Sequence, residues 1–453
     1  MSTAQAEKIS VNFISLGCPK NLVDSEVMMG LLDRDDFNVV PADQRARVSV
    51  INTCSFVDDS KQESIDAILE VADKKKSGDT QMIIVAGCLA QRYVNELPEL
   101  LPEVDIFVGT GEYHKLPGII RHKLAGQKNV AYVEKPEYVP DHLTPRMQST
   151  PAYTKYVKIA EGCSHRCSFC IIPHLRGDLH SRTPDDVFNE IKEGVERGVK
   201  EFNLVSQDLN EYGRDRRDLE IKPSLYGLLD DLQKLDGEFW LRLMYMYPLQ
   251  FPDKLVQLIA EHPHIAKYVD IPLQHISDHM LKKMNRGSSS RYIYRLIENL
   301  KKSVPGIVLR TTFISGHPGE NKEDHEELKQ FLKDMEFDRV GIFKFSREEG
   351  TAAYDMNAQV PEEIKEERHA ELMAMQQKIS QKKNQSYVGK TIRVLFEGVS
   401  EETELLHQGR FYGQAPDIDG VVLINDGKGT IGEFCDVKIT EALPYDLLGE
   451  IVS

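Results

Sequence analysis

The stretch Tyr156-Val157-Lys158-Ile159-Ala160-Glu161-Gly162-Cys163-Ser164-His165-Arg166-Cys167-Ser168-Phe169-Cys170 carries the fold assignment. Residues 156–160 read as a β-strand, and the chain leaves it directly into three cysteines with C-x3-C-x2-C spacing. A cube-shaped iron–sulfur cluster takes four ligands, normally thiolates. Three tightly spaced thiols therefore leave one iron open to a substrate or cofactor. The alternative is a structural zinc, which needs a fourth ligand such as His165 or His174. Closed zinc sites usually show paired spacings that this chain lacks.

On the carboxyl side of that strand, βα alternation persists. Strand candidates lie at 201–206, 240–245, 268–272, 308–314 and 340–345, with amphipathic helical stretches at 183–197, 253–261 and 322–334 among them. Six strands in βα repeats predict an incomplete (β/α)6 barrel, with its chemistry at the carboxyl ends of the strands. On the amino side, apolar runs at 11–16, 48–52 and 82–86 alternate with helical patterns at 21–33 and 59–73, which predicts an open parallel α/β sheet. Cys18, Cys54 and Cys88 each fall just past one of those three strands, at the edge where open α/β sheets bind ligands. The alternative for dispersed cysteines is three inert, buried thiols.

The chain divides accordingly: 1–133 as the amino-terminal α/β domain, 134–151 as a linker marked by Pro136, Pro140, Pro145 and Pro151, and 152–384 as the barrel with a connecting helix. Pro361, ahead of Glu362 and Glu363, opens that helix. Residues 385–453 show short strands at 391–396, 410–414, 421–425 and 436–440 between Gly, Asp and Asn turns, the pattern of a small antiparallel β-barrel.

Composition narrows the function classes. With 453 residues, 41% hydrophobic and 28% charged, the chain is neither disordered nor collagen-like. It has no apolar run of the ~18 to 20 residues needed to cross a bilayer and no basic-then-apolar start, so a cytoplasmic protein without membrane contact is expected. Seven cysteines are too few and too uneven for a disulfide framework. The net charge of −16 lacks the basic footprint of a protein that grips nucleic acid along its length. From residue 385 onward five Lys and Arg face twelve Asp and Glu, which disfavours phosphate binding there.

The clustered cysteines on a βα barrel, with Phe169 beside the last of them, resemble the radical S-adenosylmethionine superfamily. The resemblance implies that Cys163, Cys167 and Cys170 bind a 4Fe–4S cluster whose open iron holds S-adenosylmethionine. One electron then splits the sulfonium to a 5′-deoxyadenosyl radical, chemistry that belongs to the cofactors. Together with Cys18, Cys54 and Cys88 and a terminal TRAM-type barrel, the resemblance narrows to the methylthiotransferases. It implies a second 4Fe–4S cluster on that dispersed trio, where sulfur is activated or methylated. The segments Leu16-Gly17-Cys18-Pro19-Lys20-Asn21-Leu22-Val23-Asp24-Ser25 and Arg176-Gly177-Asp178-Leu179-His180-Ser181-Arg182 resemble members that modify protein twelve of the small ribosomal subunit. Members acting on transfer RNA usually carry Gln-Met-Asn where this chain has Pro19-Lys20-Asn21.

The implied reaction is β-methylthiolation of an aspartate, with S-adenosylmethionine as methyl donor and radical source. A low-potential donor such as flavodoxin or ferredoxin would supply the electrons. An acidic terminal barrel suits a basic ribosomal protein and repels RNA, so no direct transfer-RNA binding is expected. Two rivals remain: a transfer-RNA (N6-isopentenyladenosine) methylthiotransferase, and a non-catalytic iron–sulfur electron carrier or redox sensor. Ser206, Gln207 and Gln274 fall at the barrel rim as candidate contacts to S-adenosylmethionine or substrate, with turn and capping roles as the alternative. Gly316 and Gly319, in Gly316-His317-Pro318-Gly319-Glu320, resemble the superfamily's adenine-side glycine motif, with His317 where an apolar aromatic is more usual. Arg310 and Lys344 are candidates to neutralise a carboxylate in the barrel, and Cys435 reads as a packing residue. Gly109-Thr110-Gly111 is assigned no function.

Overall fold

A parallel sheet whose central strands are buried along their whole length forms the first unit. The computed structural model describes residues 8–34, 36–220, 222–249 and 251–452; residues 1–7 and Ser453, at the ends of the outer two sequence-assigned domains, lie outside the described residues. The strands are β1 (Ile9–Ser15), β2 (Phe37–Val40), β3 (Val48–Thr53), β4 (Met82–Gly87), β5 (Ile106–Val108) and β6 (Ala131–Tyr132). Every residue of β3 and β4 is buried, as expected of parallel strands covered on both faces. The order β2-β1-β3-β4-β5-β6 is parallel throughout. It reverses between β1 and β3, so Cys18 and Cys54 stand at the topological switch point, where open sheets form their ligand crevice. The sequence pattern revealed β1, β3 and β4. It missed β2, β5 and β6, which are too short to show a period.

The second unit contains β7 (Thr154–Lys158), β8 (Ala160–Glu161), β9 (His180–Ser181), β10 (Glu201–Val205), β11 (Trp240–Leu243), β12 (Ile265–Asp270), β13 (Val308–Ser315) and β14 (Arg339–Lys344). Six of them form a sheet in the order β14-β13-β12-β11-β10-β7, all parallel, whose end strands do not pair with each other. This is the incomplete barrel expected. The short antiparallel pair β8–β9 brackets the clustered cysteines. Several helices between the strands have side-chain caps. Thr183 accepts the Asp186 N–H at the start of Pro184–Glu196, and Asn321 and Asp324 form a reciprocal capping box on Lys322–Met335.

Helix Glu362–Gln385 buries Leu372, Gln376 and Ile379 and reaches the third unit, where Asn384 donates to the Leu443 carbonyl at 3.0 Å. There β15 (Thr391–Val399), β16 (His407–Phe411), β17 (Val422–Asp426), β18 (Phe434–Ala442) and β19 (Leu447–Ile451) close a barrel in the order β15-β16-β17-β19-β18. Four pairings are antiparallel, but β17 and β19 run parallel. The chain crosses over to form β18 against β15 before β19 returns beside β17.

A buried carboxylate fastens this barrel to the second unit. Glu201, at the start of β10, accepts from Arg242 at 2.7 Å and from Arg410 of the terminal barrel at 2.7 Å. Among the described residues, no helix is long and apolar enough to cross a membrane.

Candidate active site

Cys18 is the N-cap of helix Pro19–Asp33, and Cys88 is the first residue of helix Cys88–Arg92. Cys54 follows β3 and exchanges two hydrogen bonds with Ser64: its N–H donates to the hydroxyl at 3.1 Å, and its carbonyl accepts at 3.0 Å. Gly17 has φ +88°, and a Cβ there would lie 2.8 Å from the Cys54 Cβ, so the loops after β1 and β3 touch. The fold thus gathers the dispersed trio at one sheet edge. Cys54 and Cys88 are buried, and burial pushes the Cys88 thiol up to about 12.

The clustered trio lies on the loop after β8. Burial pushes Cys163 up to about 11 and Cys170 up to about 12. Such thiols stay protonated in the free protein, which argues against free nucleophiles; as metal ligands they would shed that proton on binding. Each trio has an arginine on one sulfur. Arg176 donates to Cys88 Sγ at 3.7 Å, and Arg286 donates to Cys167 Sγ at 3.5 Å.

Among the described residues, His165, Asp208 and Glu211 offer three ligand atoms within 4.8 Å of one another. The suggested fourth zinc ligands are elsewhere: His174 is exposed, and His165 Nε2 meets the Asp208 carboxylate at 2.8 Å while its ring stacks on Tyr247.

Between the trios lies a buried quartet of charges. Lys158 Nζ donates to Asp24 and, at 2.6 Å, to Glu161; Arg176 donates to Asp24 at 2.7 Å and to Glu161 at 3.1 Å, and also to Asn21. Burial opposes ionisation of Glu161, but Lys158 and Arg176 outweigh it and hold the carboxyl far below its ordinary range. Asn21 and Asp24 belong to the first unit, the other three to the second, so the quartet joins the two cysteine-bearing units.

Gly162 sets the approach to Cys163. Its φ is +75°, and a Cβ would lie 2.0 Å from the Asp178 carbonyl oxygen, beside the bond from the Cys163 N–H to the Gly177 carbonyl at 3.0 Å. Gly162→Ala is expected to cost about 1–3 kcal/mol locally and to speed amide hydrogen exchange at Cys163, whose N–H donates to the Gly177 carbonyl, in the anaerobically purified protein. Unchanged exchange there would mean that the loop relaxes freely.

The other sequence-assigned residues divide. Ser206 and Gln207 sit at the carboxyl end of β10; the buried Ser206 hydroxyl and Gln207 Oε1 lack partners among the described residues, while Gln207 Nε2 donates to Glu161 at 2.9 Å. Gln274 bridges to Phe313 at the rim with φ +72°. These three line the end of the barrel that carries the cysteine loop. Gly316 and Gly319 lie behind that loop: their N–H groups are spent on Glu320 at 2.7 Å and on the Ala358 carbonyl at 2.8 Å, and His317 meets Ser168 at 3.1 Å. Arg310 pairs with the protein's own Asp270 at 3.0 Å, and Lys344 is exposed, paired with Glu362 and Glu366. Cys435 packs against the terminal-barrel core. Sequence reasoning missed the roles of Lys158, Arg176 and Arg286 and the placement of Lys20, whose Nζ lies 3.6 Å over the Tyr245 ring.

Comparison with known proteins places each unit. Residues 10–109 match the uncharacterized protein family UPF0004, residues 157–332 the Radical SAM superfamily and residues 388–452 the TRAM domain. The ribosomal protein uS12 methylthiotransferase RimO of Geotalea uraniireducens is 49% identical over 452 residues, covering 100% of both chains. That of Bdellovibrio bacteriovorus is 48% identical, covering 99% of this chain and 98% of its own. Among solved structures, the radical S-adenosylmethionine methyltransferase TsrM from Kitasatospora setae superposes with a TM-score of 0.56 at 14% identity, over 75% of this chain and 73% of its own. The cobalamin-dependent radical enzyme OxsB gives 0.51 at 13% identity, over 82% and 56%. These two share the fold.

Proposed function

We propose a division of labour between the two cysteine trios from one starting point: the chain belongs to the ribosomal protein uS12 methylthiotransferase RimO family and is a radical S-adenosylmethionine enzyme. It transfers a methylthio group to uS12, using a 4Fe–4S cluster and S-adenosylmethionine. Cys163, Cys167 and Cys170 are the residues to hold that cluster, which when bound supplies the electron that cleaves S-adenosylmethionine. Cys18, Cys54 and Cys88 hold a second cluster, at which sulfur is handled.

The observation that carries this reading is the buried quartet that fixes one trio against the other. Around it the protein's own groups have definite tasks. Arg286 and Arg176 each donate to one ligand sulfur, and the Arg176 charge favours the thiolate of Cys88 against its burial. The β8–β9 pair sets the loop, while Ser206, Gln207 and Gln274 offer polar groups at the barrel rim.

The target is an aspartate β-carbon, and a flavodoxin or ferredoxin is the electron donor. Exposed Glu401, Glu402, Glu404 and Glu441 on the terminal barrel favour a basic protein partner and disfavour transfer RNA. The protein works in the cytoplasm, and its units divide near residues 133, 151 and 384.

The test is anaerobic reconstitution with iron and sulfide, then reduction and addition of S-adenosylmethionine and uS12. The expected result is a gain of about 46 Da on uS12, for SCH3 in place of hydrogen, with 5′-deoxyadenosine released. Deoxyadenosine without the mass gain would overturn the substrate, and neither product from a fully loaded enzyme would overturn the reaction.

A further inference from the structure

Lys20 is a cation in an unusual position. It is the second residue of helix Pro19–Asp33, two positions after Cys18, and only 9% exposed. Its Nζ sits 3.6 Å above the Tyr245 ring, yet among the described residues it donates no hydrogen bond and joins no ion pair. An ammonium carries three donors, and leaving them unspent in a buried place is costly unless something arrives to use them.

The surroundings point to an incoming anion. Burial disfavours the charge on Lys20, while the Cys18 thiol and the carboxylates of Glu161 and Asp270 face it and favour it; both carboxylates are committed elsewhere. Glu161 serves Lys158, Arg176 and Gln207, while Asp270 serves Arg310 at 3.0 Å and the Tyr245 N–H at 3.1 Å. Arg176, the other cation nearby, is spent within the quartet. Tyr245 itself is held in the left-handed region at φ +62°, a conformation that bulky residues rarely adopt. Its N–H is tied to Asp270, and its carbonyl accepts from the Leu209 N–H at 3.2 Å. The strained aromatic forms a floor that positions the ammonium by cation–π attraction without using a donor.

We propose that Lys20 Nζ is the receptor for the side-chain carboxylate of the target aspartate; this rests on the uS12 methylthiotransferase reading above. Lys20 stands between Cys18 on its own helix and the barrel rim that carries Tyr245, so an anion held there lies between the two trios. The β-carbon of an aspartate is one bond from its carboxylate carbon. Gripping the carboxylate therefore fixes the reacting carbon, and excluding water strengthens the pairing.

The test is a four-way binding comparison under anaerobic conditions with the enzyme carrying both clusters. The modified aspartate of uS12 is first located by tandem mass spectrometry of the wild-type product, then replaced by asparagine. Wild-type enzyme and Lys20→Met are each titrated with both forms of uS12. Wild-type enzyme is expected to bind the aspartate form roughly 10- to 100-fold more tightly than the asparagine form, and Lys20→Met to bind the two within about threefold of each other. Equal binding of both forms by wild-type enzyme overturns the proposal without recourse to any variant. So does a discrimination that survives in Lys20→Met, or a variant whose loss lies in S-adenosylmethionine affinity instead. Iron content equal to wild type establishes that Lys20→Met is folded and loaded; if it falls short, Lys20→Gln takes its place in the same comparison. Failure of the underlying reading shows separately, as wild-type enzyme that puts no methylthio group on uS12.

Discussion

Cys163→Ala is expected to lower 5′-deoxyadenosine formation at least ~10³-fold, whereas Cys18→Ala keeps most of it and loses methylthio transfer altogether. The asymmetry follows from where the two residues sit. Cys163 leads the loop bracketed by β8 and β9, and its removal leaves only two protein sulfurs there. Loss of a group that merely supports a metal ligand already costs 10- to 100-fold, so loss of a ligand costs more. Cys18 caps a helix of the first unit and takes no part in the quartet that holds the cysteine loop; those bonds come from Asn21 and Asp24 of the same helix. Cys18→Ala should therefore leave the radical site standing and shed about half of the bound iron. Iron per chain, deoxyadenosine and the mass of uS12, measured on one preparation, check all three statements. A mass gain from Cys18→Ala would remove the case for a second cluster. Equal loss of deoxyadenosine in both variants would end the division of labour.

What could be read in advance was what is local in the chain. The run from 156 to 170 shows strand period and ligand spacing side by side, and Cys18, Cys54 and Cys88 each close an apolar run, so both trios were visible as candidates. The quartet was not. Asp24 and Arg176 are 152 positions apart, and their pairing depends on how two units pack, which leaves no periodic trace. Lys20 was legible only as part of a motif, because its isolation over Tyr245 is set by a barrel rim far along the chain. The glycines at 316 and 319 show the opposite limit. Their spacing suggested backbone contacts to a ligand, and it carried no sign of the side chains packed against them: added Cβ atoms would lie 2.3 Å from Lys365 and 2.7 Å from Lys283. Strand β19 escaped because Leu447-Leu448-Gly449-Glu450 carries little alternation, and its parallel pairing with β17 depends on barrel closure.

Arg176→Met is expected to cost about 3–5 kcal/mol of local stability at the junction of the two cysteine-bearing units. In the native quartet, Lys158 and Arg176 balance Asp24 and Glu161, and all four are buried. Methionine fills much of the volume but leaves two buried carboxylates to a single ammonium, with the Asn21 amide oxygen and Cys88 deprived of their donor. Arg176→Lys restores the charge but not the fork that reaches both carboxylates together with Asn21, so it should recover only part of the loss. The second-site change Asp24→Asn, combined with Arg176→Met, returns the site to one cation and one anion. It should therefore cost less than the sum of the single changes. Because three units cannot unfold as one transition, the measurement is amide hydrogen exchange in helix Pro19–Asp33 and helix Ile172–Arg176 rather than a global midpoint. Protection unchanged to within about 1 kcal/mol would show that apolar packing, not the quartet, joins the units. The consequence for the reaction is specific. A junction that loosens lets the radical form without the second trio in place, so deoxyadenosine released per methylthio group transferred should rise in Arg176→Met and return toward the wild-type ratio in Arg176→Lys.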